Sequence, residues 1–288
     1  MSPFLDAIRS FAAGHVPGVI RLSQAWRDQG IETAEMVPAC RCQNVYSVAK
    51  TFTMTAIGLL FDRGLVRLDD RVLDILADDV PASGVDPRWE GVTVEMALTH
   101  KLGLPEGFLD IDVNPISRFG DDFLGYMLTY PLIDDPGKTP RYTDGAFYLL
   151  ARVAEKKAGM PLEDLVWREL FWPMGFQEVA WSHCPRGHAM GATGLYVHSA
   201  DVARLALLYR DGGAFEGRRL LSARWTDLAV SRGFALDMDP SRCMYAKGGM
   251  YGQLLSVFPQ NHRVLAVQGF HDDCMALARF AMDYGDNP

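Results

Sequence analysis

The chain has 288 residues, of which 49% are hydrophobic and 22% charged. That composition suffices for a sizeable buried core and excludes a wholly disordered chain. The formal net charge is −8, with no Lys/Arg cluster, which argues against a nucleic-acid or anionic-membrane partner.

Taken in chain order, Phe4, Leu5, Ile8, Phe11 and Ala12 mark one face of a short helix, broken at Pro17-Gly18. Asp6, Arg9 and His15 interrupt this stretch, so it does not read as a secretory leader, and a cytoplasmic protein is expected. Val19–Leu22 and Ile31–Val37 read as strands around a turn at Asp28-Gln29-Gly30. From Ser47 to Phe61 the apolar residues lie nearly all round, as in a buried helix, with Ser47 as its N-cap and Gly64 as its stop. Leu65–Ala77 and Val92–Thr99 are helical in part. Residues 78–91 and 100–117 are rich in Pro, Gly and Asp, and read as loops.

Further helices are expected at Asp122–Thr129, Asp144–Lys157, Leu162–Leu170 and Ala200–Arg210. Gln253–Phe258 and Val264–Phe270 form a hairpin, and Cys274–Tyr284 a last helix. Strands near both ends with helices between them predict an α/β (α+β) fold. Its mainly antiparallel sheet comes from both chain ends, about residues 1–60 and 215–288, and a helical subdomain at about 61–214 is inserted. The whole reads as one discontinuous domain.

Ser47-Val48-Ala49-Lys50 carries the sharpest chemistry. Residues three apart share a helix face. A serine hydroxyl needs a base to become a nucleophile, and a lysine one turn on can serve if its amine is neutral. The helix N-terminus adds partial positive charge where an oxyanion would form. The tetrapeptide alone is a weak signal, and by itself it reads more readily as a capping serine and an exposed lysine. Tyr142-Thr143-Asp144, just before a helix, and Lys247-Gly248-Gly249, which is expected to open the penultimate strand, add two more motifs in order.

Ser-x-x-Lys, then Tyr-x-Asn, then Lys-Thr-Gly is the pattern of the serine β-lactamase and penicillin-binding-protein superfamily, and this chain resembles its class C and esterase-like branch. Thr93 to Pro105, Pro136 to Gly159 and Gly191 to Gly213 extend the likeness over about residues 44–270. The resemblance implies that Ser47 is acylated, that Lys50 assists its deprotonation, and that Tyr142 shuttles protons to the leaving group and activates water. Lys247 would depress the Tyr142 pKa and attract an anionic substrate. The backbone N–H groups of Ser47 and Met250 would form the oxyanion hole, and Asp144, Lys247, Gly248 and Gly249 would line the substrate.

Two departures stand out. Asp144 replaces Asn, so an ionised carboxylate that only accepts stands where an amide would donate and accept. It would favour a protonated Lys50, or it would cap its own helix. Gly248 replaces a hydroxyl residue. Both weaken the case for β-lactams more than the case for esters. The expected function is a serine hydrolase of an ester or small amide. The alternatives are a non-catalytic binding or regulatory domain, or a β-lactamase or D-amino-acid peptidase.

The expected partner is a small-molecule substrate, and the oligomeric state is left open. No cofactor or metal is expected. Gly137-Lys138-Thr139 has Leu132 where a phosphate loop needs glycine, and neither G-x-G-x-x-G nor G-x-S-x-G is present. His183, Cys184 and His188, or Cys40 and Cys42, lack zinc-type spacing, and five cysteines do not read as a disulfide framework. His100 is expected to be a structural hydrogen-bonding residue, and His271 an exposed histidine.

Overall fold

In the computed structural model of the chain, residues 1–239, 241 and 243–285 are described. They divide into two compact units. A sheet unit comprises Met1–Val48, Met174–Ala180 and the chain from Leu195 onward, and a helical unit comprises Ala49–Pro173 and Trp181–Gly194.

The sheet unit is built on six antiparallel strands. Their order is Glu32–Glu35, Val19–Trp26, Arg263–Gly269, Gln253–Phe258, Tyr245–Gly249 and Asp237–Met238. Both chain ends thus contribute to one sheet, as the alternation of β-type runs near the termini predicts. The central strand Arg263–Gly269 is buried along its whole length because both faces are covered. The helices Pro3–His15 and Cys274–Asp283 cover one face, where Phe4, Leu5, Ile8 and Leu277 pack with Leu22, Leu254 and Leu265. The helix Ser199–Arg210 covers the other, and Ser199 and Ser23 share a hydrogen bond of 2.7 Å there. The two edge strands are only four and two residues long, which limits unpaired edge.

In the helical unit, Ala49–Asp62 is buried nearly all round, as its apolar pattern requires. It packs against Asp144–Ala158 and Leu162–Val166, and Phe52 meets Phe171 edge-on at 5.8 Å. Asp144–Ala158 ends at Gly159 in the left-handed conformation, as expected.

Several details differ from the sequence reading. The Ala49–Asp62 helix belongs with the helices and not with the sheet, and Met174–Ala180 and residues 195–214 belong with the sheet, so the division falls at 48/49, 173/174, 180/181 and 194/195. A helix buried on every side needs neighbours on every side, and the helices of the middle of the chain supply them. Ser47 lies in a 3-10 turn, Tyr46–Val48, before the α-helix begins, because Tyr46 takes a positive φ of 46°. Lys247-Gly248-Gly249 closes the strand Tyr245–Gly249, one strand before the penultimate. Leu162–Leu170 runs as an α-helix only to Val166, followed by a π-type turn at Trp167–Phe171. All five cysteines are unbonded thiols. Among the described residues no helix is long and apolar enough to cross a membrane.

Candidate active site

The predicted site residues fall into two groups, one in each unit. In the helical unit, Lys50 is fully buried on the first turn of its helix. Its Nζ donates to Asp144 Oδ1 at 2.7 Å and to the Ala192 carbonyl at 3.1 Å. It also lies 4.8 Å from the centre of the Tyr142 ring and hydrogen-bonds that side chain. Burial works against the charged amine, but the Asp144 carboxylate, with Tyr142 behind it, outweighs burial and holds the Lys50 pKa above its ordinary value. The pairing with Asp144 thus favours the ammonium form of Lys50 over the free amine.

Asp144 is free to make this pair because it does not cap its helix. Thr143 is the N-cap: its Oγ1 accepts from the Gly145 N–H at 3.1 Å and donates to the Phe108 carbonyl at 2.6 Å. With the cap supplied by the preceding residue, the Asp144 carboxylate turns inward and is 5% exposed. The capping role weighed for Asp144 is thus taken by its neighbour.

Tyr142 is held from two sides. Its carbonyl accepts from the Gly107 N–H at 2.8 Å, and its ring lies 4.6 Å from the His100 ring. His100 Nδ1 accepts from the Thr143 N–H at 3.3 Å, so His100 is structural, as expected. Tyr142 remains 38% exposed, while Lys50 and Asp144 are buried.

The sequence reading missed Asp110 and Asp112. Together with Asp144 they place one carboxylate oxygen each within 4.8 Å of one another. Burial raises the pKa of both, and the Asp144 charge raises it further; for Asp112 a 2.6 Å hydrogen bond from Thr193 works the other way. These three oxygens are the set that could face a cation, but Asp144 is already committed to the Lys50 ammonium. Nothing in a Pro-, Gly- and Asp-rich loop singles out these two aspartates. Only the tertiary path of residues 107–112 brings them in.

In the sheet unit, Ser47 is half-buried in its 3-10 turn, which packs against the strands Tyr245–Gly249 and Gln253–Phe258. The turn is fixed by Val45 N–H to the Leu195 carbonyl at 2.8 Å and by Tyr46 N–H to Asn44 Oδ1 at 2.9 Å. Gly249 permits the packing: a side chain there would begin 2.5 Å from the Val45 carbonyl oxygen. Gly248, by contrast, faces open space, and no atom would lie within 4 Å of a methyl group there. Lys247 is buried, with Nζ 3.5 Å from Asp237 Oδ2. Met250 opens a turn whose next residue, Tyr251, has a positive φ of 58°. The rings of Tyr46 and Tyr251 meet edge-on at 5.3 Å. The residue before Ser47 thus contacts the residue after Met250.

His271 is not exposed. Its ring is buried against Gly252 and Gly269, two residues whose lack of side chains makes room for it.

The comparisons with known proteins agree with this frame. A sequence model of the Beta-lactamase family matches residues 24–269, and the chain belongs to that family. Penicillin-binding protein 4 of Amycolatopsis lactamdurans is 30% identical over 210 residues, which cover 62% of this chain and 53% of that protein. The chain thus spans about half the length of that relative. Among solved structures, EstCE1, a hydrolase with promiscuous acyltransferase activity, superposes with a TM-score of 0.72 at 16% identity, covering 98% of both chains. D-amino acid amidase from Ochrobactrum anthropi SV3 gives a TM-score of 0.69 at 14% identity, covering 97% of this chain and 98% of that one. At such identities the structural likeness establishes the fold alone.

Proposed function

We propose that this protein is a serine hydrolase that cleaves a carboxylic ester or small amide through an acyl-enzyme on Ser47. The observation that carries the reading is the buried cluster of Lys50, Asp144 and Tyr142, a fixed ammonium against a half-exposed phenol. Ser47 is three residues from Lys50, so the chain itself keeps their α-carbons within about 11 Å of each other.

In this mechanism Tyr142 reacts as the phenolate: the Ser47 oxygen attacks the substrate carbonyl while its proton passes to the phenolate oxygen, leaving Tyr142 as the phenol. The negative charge on the tetrahedral oxygen is met by the backbone N–H groups of Ser47 and Met250. The C–O or C–N bond breaks, and the leaving alcohol or amine takes the proton from Tyr142. Water then attacks the acyl-Ser47, giving up one proton through Tyr142, and the acid leaves as the serine hydroxyl is restored. Lys50 serves as a constant positive charge beside the phenol. Lys247 draws in the acyl side of an anionic substrate. An amidase and a hydrolase with acyltransferase activity among the structural relatives are consistent with an ester or amide substrate.

A second reading, a non-catalytic binding or regulatory domain, is favoured by one observation: Asp144 Oδ1 pairs with Lys50 Nζ at 2.7 Å, which favours the charged form of the lysine of the Ser-x-x-Lys motif. One experiment separates the two. The protein is incubated with a fluorophosphonate, its intact mass is taken, and turnover of chromogenic esters is followed. A single adduct that disappears in Ser47→Ala, together with turnover, supports the hydrolase. An adduct without turnover of any ester supports the binding domain, and absence of an adduct refutes the nucleophile.

A further inference from the structure

We infer that His271 is a positioning residue for the turn Met250–Gly252, and through it for the Met250 N–H that would face a substrate oxyanion; the catalytic part rests on the role given to Met250 above. Tyr251 has a side chain yet sits at φ 58°, in the left-handed region. A residue keeps such a conformation only when its surroundings fix it. Here the surroundings are largely two residues from the end of the strand Arg263–Gly269. The Phe270 ring stacks on the Tyr251 ring at 5.3 Å and 30°. The His271 N–H donates to the Tyr251 carbonyl at 3.2 Å.

The His271 ring completes the clamp. A side chain on Gly252 would begin 2.5 and 2.6 Å from its two nitrogens, and one on Gly269 would begin 2.7 Å from its Cδ2. The ring is thus seated between two bare α-carbons, one of them the last residue of the turn. Neither ring nitrogen has a hydrogen-bond partner among the described residues. Burial lowers the ring's basicity despite the nearby Asp273 and Asp272 charges, so the ring is neutral. It acts by its flat shape and not by its nitrogens. With the ring removed, Gly252 gains freedom and the left-handed Tyr251 loses the support that aims the preceding peptide.

The test compares His271→Ala with His271→Phe, which keeps a flat ring. Two measurements are made on each: hydrogen exchange of the peptide spanning 250–252, and kcat and KM for a chromogenic ester normalised to fluorophosphonate-labelled Ser47. His271→Ala is expected to speed exchange about tenfold and to lower kcat about tenfold or more, with KM within about twofold, since a misplaced oxyanion donor acts in the transition state. His271→Phe is expected to stay close to wild type in both. Unchanged exchange and kcat in His271→Ala, or equal losses in both variants, overturns the inference. If wild type itself takes no label at Ser47, the catalytic part falls with the hydrolase reading, and hydrogen exchange alone decides whether the clamp exists.

Discussion

The Lys50–Asp144 pair makes a prediction with a definite sign. Asp144→Asn keeps the shape and a carbonyl acceptor but removes the charge that holds Lys50 protonated. In wild type the Lys50 pKa is raised by its partner, so the native state holds this proton more tightly than the unfolded chain. The resulting stability is fully present below the unfolded lysine value, near 10.5, and is lost only as pH rises through the higher native value. In the variant the same ammonium is fully buried with no counter-charge at 2.7 Å. Burial then dominates and pushes its pKa below the unfolded value. The unfolded chain now binds the extra proton, so the stability of the variant rises with pH.

Breaking a buried pair by removing one partner costs about 3–5 kcal/mol. For a chain of this length that corresponds to a melting temperature about 5–8 °C lower at pH 7. The assay is thermal unfolding of both proteins at intervals from pH 6 to pH 10. The difference in midpoint is expected to be largest near neutrality and to shrink towards pH 10. A difference that is negligible at pH 7, or constant across the range, would refute the charged pair.

Gly249→Ala would push a methyl group to 2.5 Å from the Val45 carbonyl; a loss of about 1–3 kcal/mol is expected from overpacking, with slower fluorophosphonate labelling of Ser47, both readable on one sample. Gly248→Thr meets open space, so its melting temperature should match wild type while penicillin labelling rises at least severalfold, as read by intact mass. Tyr142→Phe removes one acceptor of the buried Lys50 ammonium, so a stability loss of about 1–3 kcal/mol is expected, and labelling and ester turnover should fall about 100-fold or more, the usual range for a proton-transfer group.

The sheet was legible because its strands are short apolar runs with clear breaks, and Pro259-Gln260-Asn261-His262 marks the hairpin turn. The Asp144–Ala158 helix was legible from its apolar face and Gly159. What the sequence hides is set by contacts between distant segments. Thr143 and Asp144 are both good caps by type. The choice falls to Thr143 because its hydroxyl also reaches the Phe108 carbonyl, 35 residues upstream. Asp110 and Asp112 look like loop solvation until the backbone folds them towards Asp144. His271, followed by Asp272 and Asp273, reads as surface; Gly252 and Gly269 create the slot that buries it. The start of the Ser47 turn was misjudged because no local rule requires a tyrosine to adopt a positive φ.

The two departures from the family pattern therefore carry different weight. Gly248 faces open space, so on the proposed reading it would bear on which substrates fit. Asp144 is bound to the buried lysine of the motif. An ammonium has three N–H donors, and Asp144, the Ala192 carbonyl and Tyr142 all lie within reach of Lys50 as acceptors. A neutral amine would have one donor fewer and would leave one of these buried acceptors short of a partner, an additional cost to losing the proton. A general base must also reach the proton it takes. Tyr142 is the member of this cluster open to solvent, and it touches the charge that Asp144 holds in place. On the proposed hydrolase reading, an Asp at this position would move proton transfer off the lysine and onto Tyr142, with the lysine as its positive neighbour.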